Sequence, residues 1–145
     1  MSKPIYIING PNLNRLGSRE PEIYGSQTLN DIEQACRAAT EHDIVFRQSN
    51  IEGEIVNFVQ EAADKASALL INPAAYTHTS VAIYDALKLL SIPIVEIHLS
   101  QPAKRESFRR RSYVAQAATG TISGFGANSY LLGLQAVSNL LKTSA

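Results

Sequence analysis

Five short apolar runs alternate along this chain with stretches whose hydrophobic residues recur every three or four positions. Ile5 to Ile8, Ile44 to Gln48, Ala68 to Asn72, Ile92 to Leu99 and Thr119 to Gly124 have the length and composition of strands. Leu29, Ile32, Cys36 and Ala39 lie at helical spacing behind Thr28 and Asp31, a capping box in which Asp takes the usual Glu position. Ile55, Val59, Ala62 and Ala66 repeat the pattern, and so do Leu131, Leu134, Val137 and Leu141. The strand segments are nearly continuous apolar runs, as parallel strands covered on both faces require. Strict alternation of strand and helix predicts a parallel sheet with right-handed crossovers. The length suits one α/β domain over residues 1–145, a doubly wound five-stranded sheet of flavodoxin-like order. A further helix, Ser80 to Leu90, is apolar most of the way round, which predicts burial between subunits.

Composition narrows the class. At 145 residues and 45% hydrophobic content the chain can build a full core, burying about 68–70% of the surface its unfolded form exposes. Cys36 is the single cysteine, so no intramolecular disulfide can form, and a reducing cytoplasm is expected. The first apolar run is too short for a signal peptide core, and no stretch reaches the ~20 residues of a membrane span. Thirteen basic residues balance thirteen acidic ones, so no global field draws the chain to nucleic acid or membrane. The basic residues are nevertheless clustered: Lys104, Arg105, Arg109, Arg110 and Arg111 suit a small anionic ligand, or equally a solvated helix face.

In open parallel sheets ligands bind beyond the carboxyl ends of the strands, and polar side chains gather there in this sequence. The first strand delivers Asn12, the second Gln48-Ser49-Asn50, the third Asn72 and the segment Thr77-His78-Thr79-Ser80, the fourth Glu96, His98 and Ser100. A phosphate cradle would be glycine-rich, and Pro11 removes an N–H where one would be needed. After Asn9-Gly10-Pro11-Asn12-Leu13-Asn14 the chain carries Arg15, Arg19 and Tyr24. An ordinary tyrosine is phenolate in about one molecule in a thousand at neutral pH, and a nearby guanidinium can raise that to roughly one in ten. Tyr24 is therefore a candidate base. The same residues would also make a solvated surface loop with Gly17 and Gly25 as turns.

Glu96 and His98 are two apart on one strand and project to the same side, so the carboxylate favours the imidazolium that a proton donor needs. An ordinary structural ion pair is the plainer alternative. His78 sits just before a helix that Thr79 or Ser80 would cap, where small Ala74 and Ala75 let a ligand approach the backbone. His42, in a polar connection, reads as solvated. No H-E-x-x-H or cysteine–histidine spacing suggests a metal, and no G-x-S-x-G elbow suggests a serine hydrolase.

Together these residues form motifs that run almost end to end: N-G-P-N-L-N from Asn9, G-x-R-E-P-x-x-Y-G from Gly17, Q-S-N-x-E-G from Gln48, N-P-A-A-x-T-H-T-S from Asn72, and E-x-H-x-S followed by R-E-x-F-R. In them the chain resembles the type II 3-dehydroquinate dehydratases. The resemblance implies that Tyr24, its phenolate favoured by Arg19, removes a proton beside the ketone of 3-dehydroquinate. It implies an enolate stabilised through a water held by Asn12, and His98, oriented by Glu96, as general acid. Asn72, His78 and Arg109 match substrate-binding positions, with Leu99 and Ser100 contributing backbone and Arg105 lying on a closing loop. The loop from Arg19 to Tyr24 matches a mobile lid. No cofactor is implied. The resemblance further implies a dodecamer built from trimers, with Asp85 reaching toward a neighbouring subunit's site. Tyr84, Ile51, Gln101-Pro102 and Arg110-Arg111 depart from the usual residues, and none of them is a proposed catalytic group. The alternative class is a non-catalytic flavodoxin-like binding or signalling module; Asn9, Asn12 and Asn72 stand where a response regulator would carry acids.

Overall fold

Strands β1 (Ile5–Asn9), β2 (Ile44–Gln48), β3 (Ala68–Asn72), β4 (Ile94–His98) and β5 (Gly120–Ser123) form one parallel sheet in the order β2-β1-β3-β4-β5. The computed structural model describes residues 2–17, 22 and 27–143. Asn9 stands level with Gln48 on one side and Asn72 on the other, so β1, β2 and β3 end together at one edge.

Alternation along the central strands divides the core in two. Ile5, Ile7, Ala68, Leu70, Val95 and Ile97 face helices α1 (Leu29–Ala39) and α4 (Asn128–Thr143), packing on Ile32, Cys36, Tyr130, Leu134 and Val137. Tyr6, Ile8, Leu69, Ile71 and Ile94 face α2 (Glu52–Lys65) and α3 (Val81–Leu87), packing on Ile55, Val59, Ala62, Ile83 and Leu87. Each buried Leu, Ile or Val side chain among them stabilises the fold by about 1.5–3 kcal/mol. The register also decides chemistry: Asn9 and Asn72 close the α1/α4 face, whereas Glu96 and His98 close the α2/α3 face.

The capping box forms as expected, with Thr28 Oγ1 accepting from Asp31 N (3.1 Å) and Asp31 Oδ2 accepting from Thr28 N (3.0 Å). Gly133 lets α4 settle close on the sheet: a Cβ there would lie 2.7 Å from Ile97 Cδ1 and 3.0 Å from Leu70 Cδ2. Gly10 is similarly required, because a Cβ would collide with the backbone carbonyl of Pro73.

Three expectations change. The fourth strand begins at Ile94 rather than Ile92, since Pro93 has no N–H for the ladder and contributes only its carbonyl, which accepts from Leu69 N at 2.9 Å. The helix expected over Ser80 to Leu90 ends at Leu87, where Leu89 and Leu90 switch to bonds with Ala86 and Leu87 three residues back. Strand–helix alternation also fails between β4 and β5. That crossover is built from three short 3-10 turns, Pro102–Lys104, Ser107–Arg110 and Val114–Gln116, so the basic cluster lies on turns and not on a helix. β5 is a half-exposed edge strand, unlike the covered centre of the sheet. Val81 and Leu89 of the α3 region remain 51% and 65% exposed. Among the described residues no helix is long and apolar enough to cross a membrane.

Candidate active site

At the carboxyl edge, the segments that follow β1, β3 and β4 enclose a cavity of about 210 Å³. Asn12 and Leu13 come from the first, Asn72, Ala74, Ala75 and His78 from the second, and His98, Leu99, Ser100, Arg105 and Arg109 from the third. Two wall residues adopt the left-handed backbone conformation, Asn12 (φ 70°) and Ala74 (φ 53°). Asn tolerates that region, but for Ala it costs about 1–2 kcal/mol, so the surrounding structure must enforce this bend.

Local bonds explain how each wall is held. Asn12 N donates to Asn50 Oδ1 (2.9 Å), and Gln48 Nε2 donates to Gly10 O (3.2 Å) and to Asn14 Oδ1 (3.4 Å). The Gln48-Ser49-Asn50 segment thus braces the first loop and does not line the cavity. Ser49 Oγ is taken up by Glu54. The helix after His78 is capped by Ser80, whose Oγ accepts from Ile83 N at 2.9 Å.

His98 is backed by a buried carboxylate. Its Nε2 lies 2.5 Å from Glu96 Oε2, and that oxygen also accepts from Thr77 Oγ1 (2.6 Å) and Ser112 Oγ (2.9 Å). Oε1 accepts from Thr121 Oγ1 at 3.3 Å. Burial pushes the Glu96 carboxyl up, but the hydrogen bond and charge of His98, with the Thr77 and Ser112 hydroxyls, outweigh it and hold the group below the usual carboxylate range. A carboxylate at the back of the ring commits Nε2–H to Glu96 and leaves Nδ1 for exchange with a ligand.

His78 has the opposite setting. Burial lowers its pKa, with His98 and Arg109 adding in the same direction against the Arg111 carbonyl and Glu96. Its Nδ1 sits 2.7 Å from Arg111 O, an acceptor only, so the neutral ring carries its proton on Nδ1 and presents Nε2 as an acceptor. The two imidazoles of one cavity therefore differ in setting: His98 has a carboxylate behind its Nε2, and His78 has a carbonyl oxygen on its Nδ1.

The cationic side is supplied by Arg105 and Arg109. Arg109 Nε donates to Glu106 Oε1 at 2.9 Å, and Arg105 Nη1 reaches Ser100 Oγ at 3.5 Å. Lys104, Arg110 and Arg111 do not line this cavity. Arg110 instead borders a second hollow behind Glu96 and His98.

The structure thus brings together Asn12, Asn72, His78, His98, Leu99, Ser100, Arg105 and Arg109, with Glu96 directly behind His98. Asp85 is exposed on α3 and does not line the cavity within this chain. Arg19 and Tyr24 lie outside the described residues. His42 is half-buried, its backbone N donating to Thr40 Oγ1 at 3.2 Å. Two supporting residues escaped sequence reasoning. Ser112 reaches Glu96 from a segment 16 positions away, and Tyr130 reads as one more core residue in its helix. Among the described residues no group of three or more His, Cys, Asp or Glu is placed to hold a metal.

Comparison with known proteins agrees with this geometry. The sequence model of the family described as dehydroquinase class II matches residues 3–138. The 3-dehydroquinate dehydratase of Phenylobacterium zucineum is 60% identical over 98% of this chain and 100% of its own length. That of Caulobacter vibrioides is 58% identical over 98% and 99%. The crystal structure of the type II dehydroquinase from Propionibacterium acnes superposes with a TM-score of 0.88 at 42% identity, covering 98% of both chains. The chain belongs to the class II dehydroquinases.

Proposed function

We infer that this chain is a 3-dehydroquinate dehydratase, a hydro-lyase that removes water from 3-dehydroquinate to give 3-dehydroshikimate, in the shikimate route to aromatic compounds or in quinate breakdown, which use the same reaction. The observation that carries the reading is the cavity in which His98, backed by Glu96, faces the same space as His78, Asn72 and two arginines. A substrate with a carboxylate and several hydroxyls matches that lining.

The elimination needs a base at the carbon beside the ketone, a means of holding the enolate, and an acid for the departing hydroxyl. Tyr24 as phenolate, favoured by Arg19, takes the carbon-bound proton, and the C–H electron pair becomes the enolate. Asn12 holds the water that stabilises the enolate oxygen. His98 as imidazolium, held by Glu96, gives its proton to the leaving hydroxyl, which departs as water while the enolate collapses to the conjugated enone. Tyr24 is then protonated and His98 neutral, and one proton passing between them through solvent restores both. Asn72, His78, Arg109 and the backbone of Leu99 and Ser100 bind the substrate, and Arg105 closes over it. What supports these roles is the shared cavity for the described residues and the motif match for Arg19 and Tyr24.

A dodecamer of trimers is proposed for the assembly, with Asp85 completing a neighbouring subunit's site; exposed Val81 and Leu89 near Asp85 support a covered face there. A cytoplasmic location is proposed, supported by the lone buried Cys36. The direct test is incubation of purified protein with 3-dehydroquinate, followed by the ultraviolet absorbance of the conjugated enone carboxylate. Enone formation is expected. A visible flavin spectrum or uptake of phosphate without enone would instead favour a non-catalytic flavodoxin-like module.

A further inference from the structure

Asn9, Asn72 and Tyr130 form a polar chain inside an otherwise apolar core. Asn9 and Tyr130 are fully buried, so neither can exchange a protein partner for bulk water, while Asn72, 3% exposed, opens only onto the cavity. Tyr130 comes from the first turn of α4, 58 positions after Asn72, and reaches the strand ends because Gly133 lets the helix lie close to the sheet.

The direction of every bond in this chain is determined. Arg47 O can only accept, so the atom of Asn9 that meets it at 2.9 Å is Nδ2. Asn9 therefore presents Oδ1 to Tyr130, whose hydroxyl donates its single hydrogen to it at 2.7 Å. With that hydrogen used, the phenol oxygen can only accept, and it does so from Asn72 Nδ2 at 2.9 Å. Asn72 Oδ1 is thereby turned to Ala74 N, a donor, at 3.2 Å. A flipped Asn72 would set its oxygen against a hydroxyl with no hydrogen to give, and its NH₂ against the Ala74 N–H. A backbone acceptor at one end and a backbone donor at the other enforce the same polarity.

We infer that Tyr130 is a positioning residue that fixes the Asn72 carboxamide in one orientation, so that Asn72 offers its remaining N–H to an acceptor oxygen of the substrate. This rests on the reading of Asn72 as a substrate-binding residue in a dehydratase. The role is specific to the hydroxyl, since the ring alone would fill the same space. Phe at this position would leave Asn9 Oδ1 and Asn72 Nδ2 without partners, so that the 3.2 Å bond from Ala74 N alone would hold the Asn72 carboxamide.

The test compares steady-state kinetics with 3-dehydroquinate and thermal stability for Tyr130→Phe, Asn9→Ala and Leu134→Ala. In Tyr130→Phe, KM should rise about threefold to tenfold, the worth of one neutral hydrogen bond, with kcat within about twofold. Asn9→Ala should raise KM similarly, because the phenol hydrogen is then free to turn on Asn72; this variant carries the test if Tyr130→Phe does not fold. Leu134→Ala, a packing change in the same helix, should lower Tm and leave KM alone. In an Asn72→Ala background the KM effect of Tyr130→Phe should vanish, since the residue acts through Asn72. An unchanged KM in Tyr130→Phe, an equal rise in Leu134→Ala, or full additivity with Asn72→Ala would overturn the inference. If the wild type is active and Tyr130→Phe keeps its KM, only the positioning role falls. A wild type that forms no enone overturns the dehydratase reading and this role with it.

Discussion

Replacing Glu96 with Gln isolates the charge behind His98 with little change in shape. The Gln carbonyl can take the position of Oε2, where it still accepts from His98, Thr77 and Ser112, while its NH₂ turns to the Thr121 hydroxyl. What is lost is the ionic character of a 2.5 Å contact at a carboxylate only 1% exposed. The difference between a charge-assisted and a neutral hydrogen bond, about 1 kcal/mol, sets the lower bound. Two unit charges ~4 Å apart at an effective dielectric of ~20 interact by about 4 kcal/mol, which sets the upper one. At ~1.4 kcal/mol per factor of ten, kcat should fall between roughly fivefold and a thousandfold. KM should stay within about threefold, because Glu96 sits behind the cavity wall. The assay is the ultraviolet progress curve of enone formation, with circular dichroism to verify the fold. A folded variant with kcat within twofold of wild type would refute the argument that the Glu96 charge behind His98 serves the elimination.

Three further outcomes are expected. Arg109→Ala should raise KM about tenfold or more with a smaller change in kcat, since a charged anchor is removed from the cavity; a fall in kcat alone would contradict the anchoring role. Stability to urea should decline with acid in two steps: the unfolded chain protonates His78 first, so stability drops as pH falls below about 6.5, and the depressed Glu96 carboxyl adds a second loss below about 4.5, which Glu96→Gln should lack. A midpoint that rose on acidification would reverse the sign of both assignments. Cys36, fully buried with its thiol pushed up to about 12 by burial, should resist alkylation in the native protein and react on unfolding; rapid labelling at pH 8 would show that α1 opens from the sheet.

The central strands were legible because Ile5 to Ile8 and Ala68 to Ile71 are apolar at every position, as a strand covered on both faces needs. The pair Glu96 and His98 was legible for a related reason, two polar residues at strand period inside an apolar run. The crossover after His98 was harder, because five cations within eight positions have the spacing of a helix face as readily as that of consecutive turns. Pro102 and the 3-10 turns that follow separate the two arginines that line the cavity from Lys104, Arg110 and Arg111, which do not. Ser112 and Tyr130 were not legible because their roles exist only through tertiary approach. A serine in a loop and a tyrosine in an apolar stripe carry no local sign of the carboxylate or carboxamide they will meet. Asp85 shows the limit of a single chain, since its proposed partner belongs to another subunit.

The proposed elimination separates base from acid, with His98 as the group that would protonate the leaving hydroxyl. Its most direct test follows His98→Ala in deuterated solvent, measuring both exchange of the acidic substrate proton and release of the enone. Exchange should continue while dehydration stalls. Enone release at the wild-type rate would contradict the account.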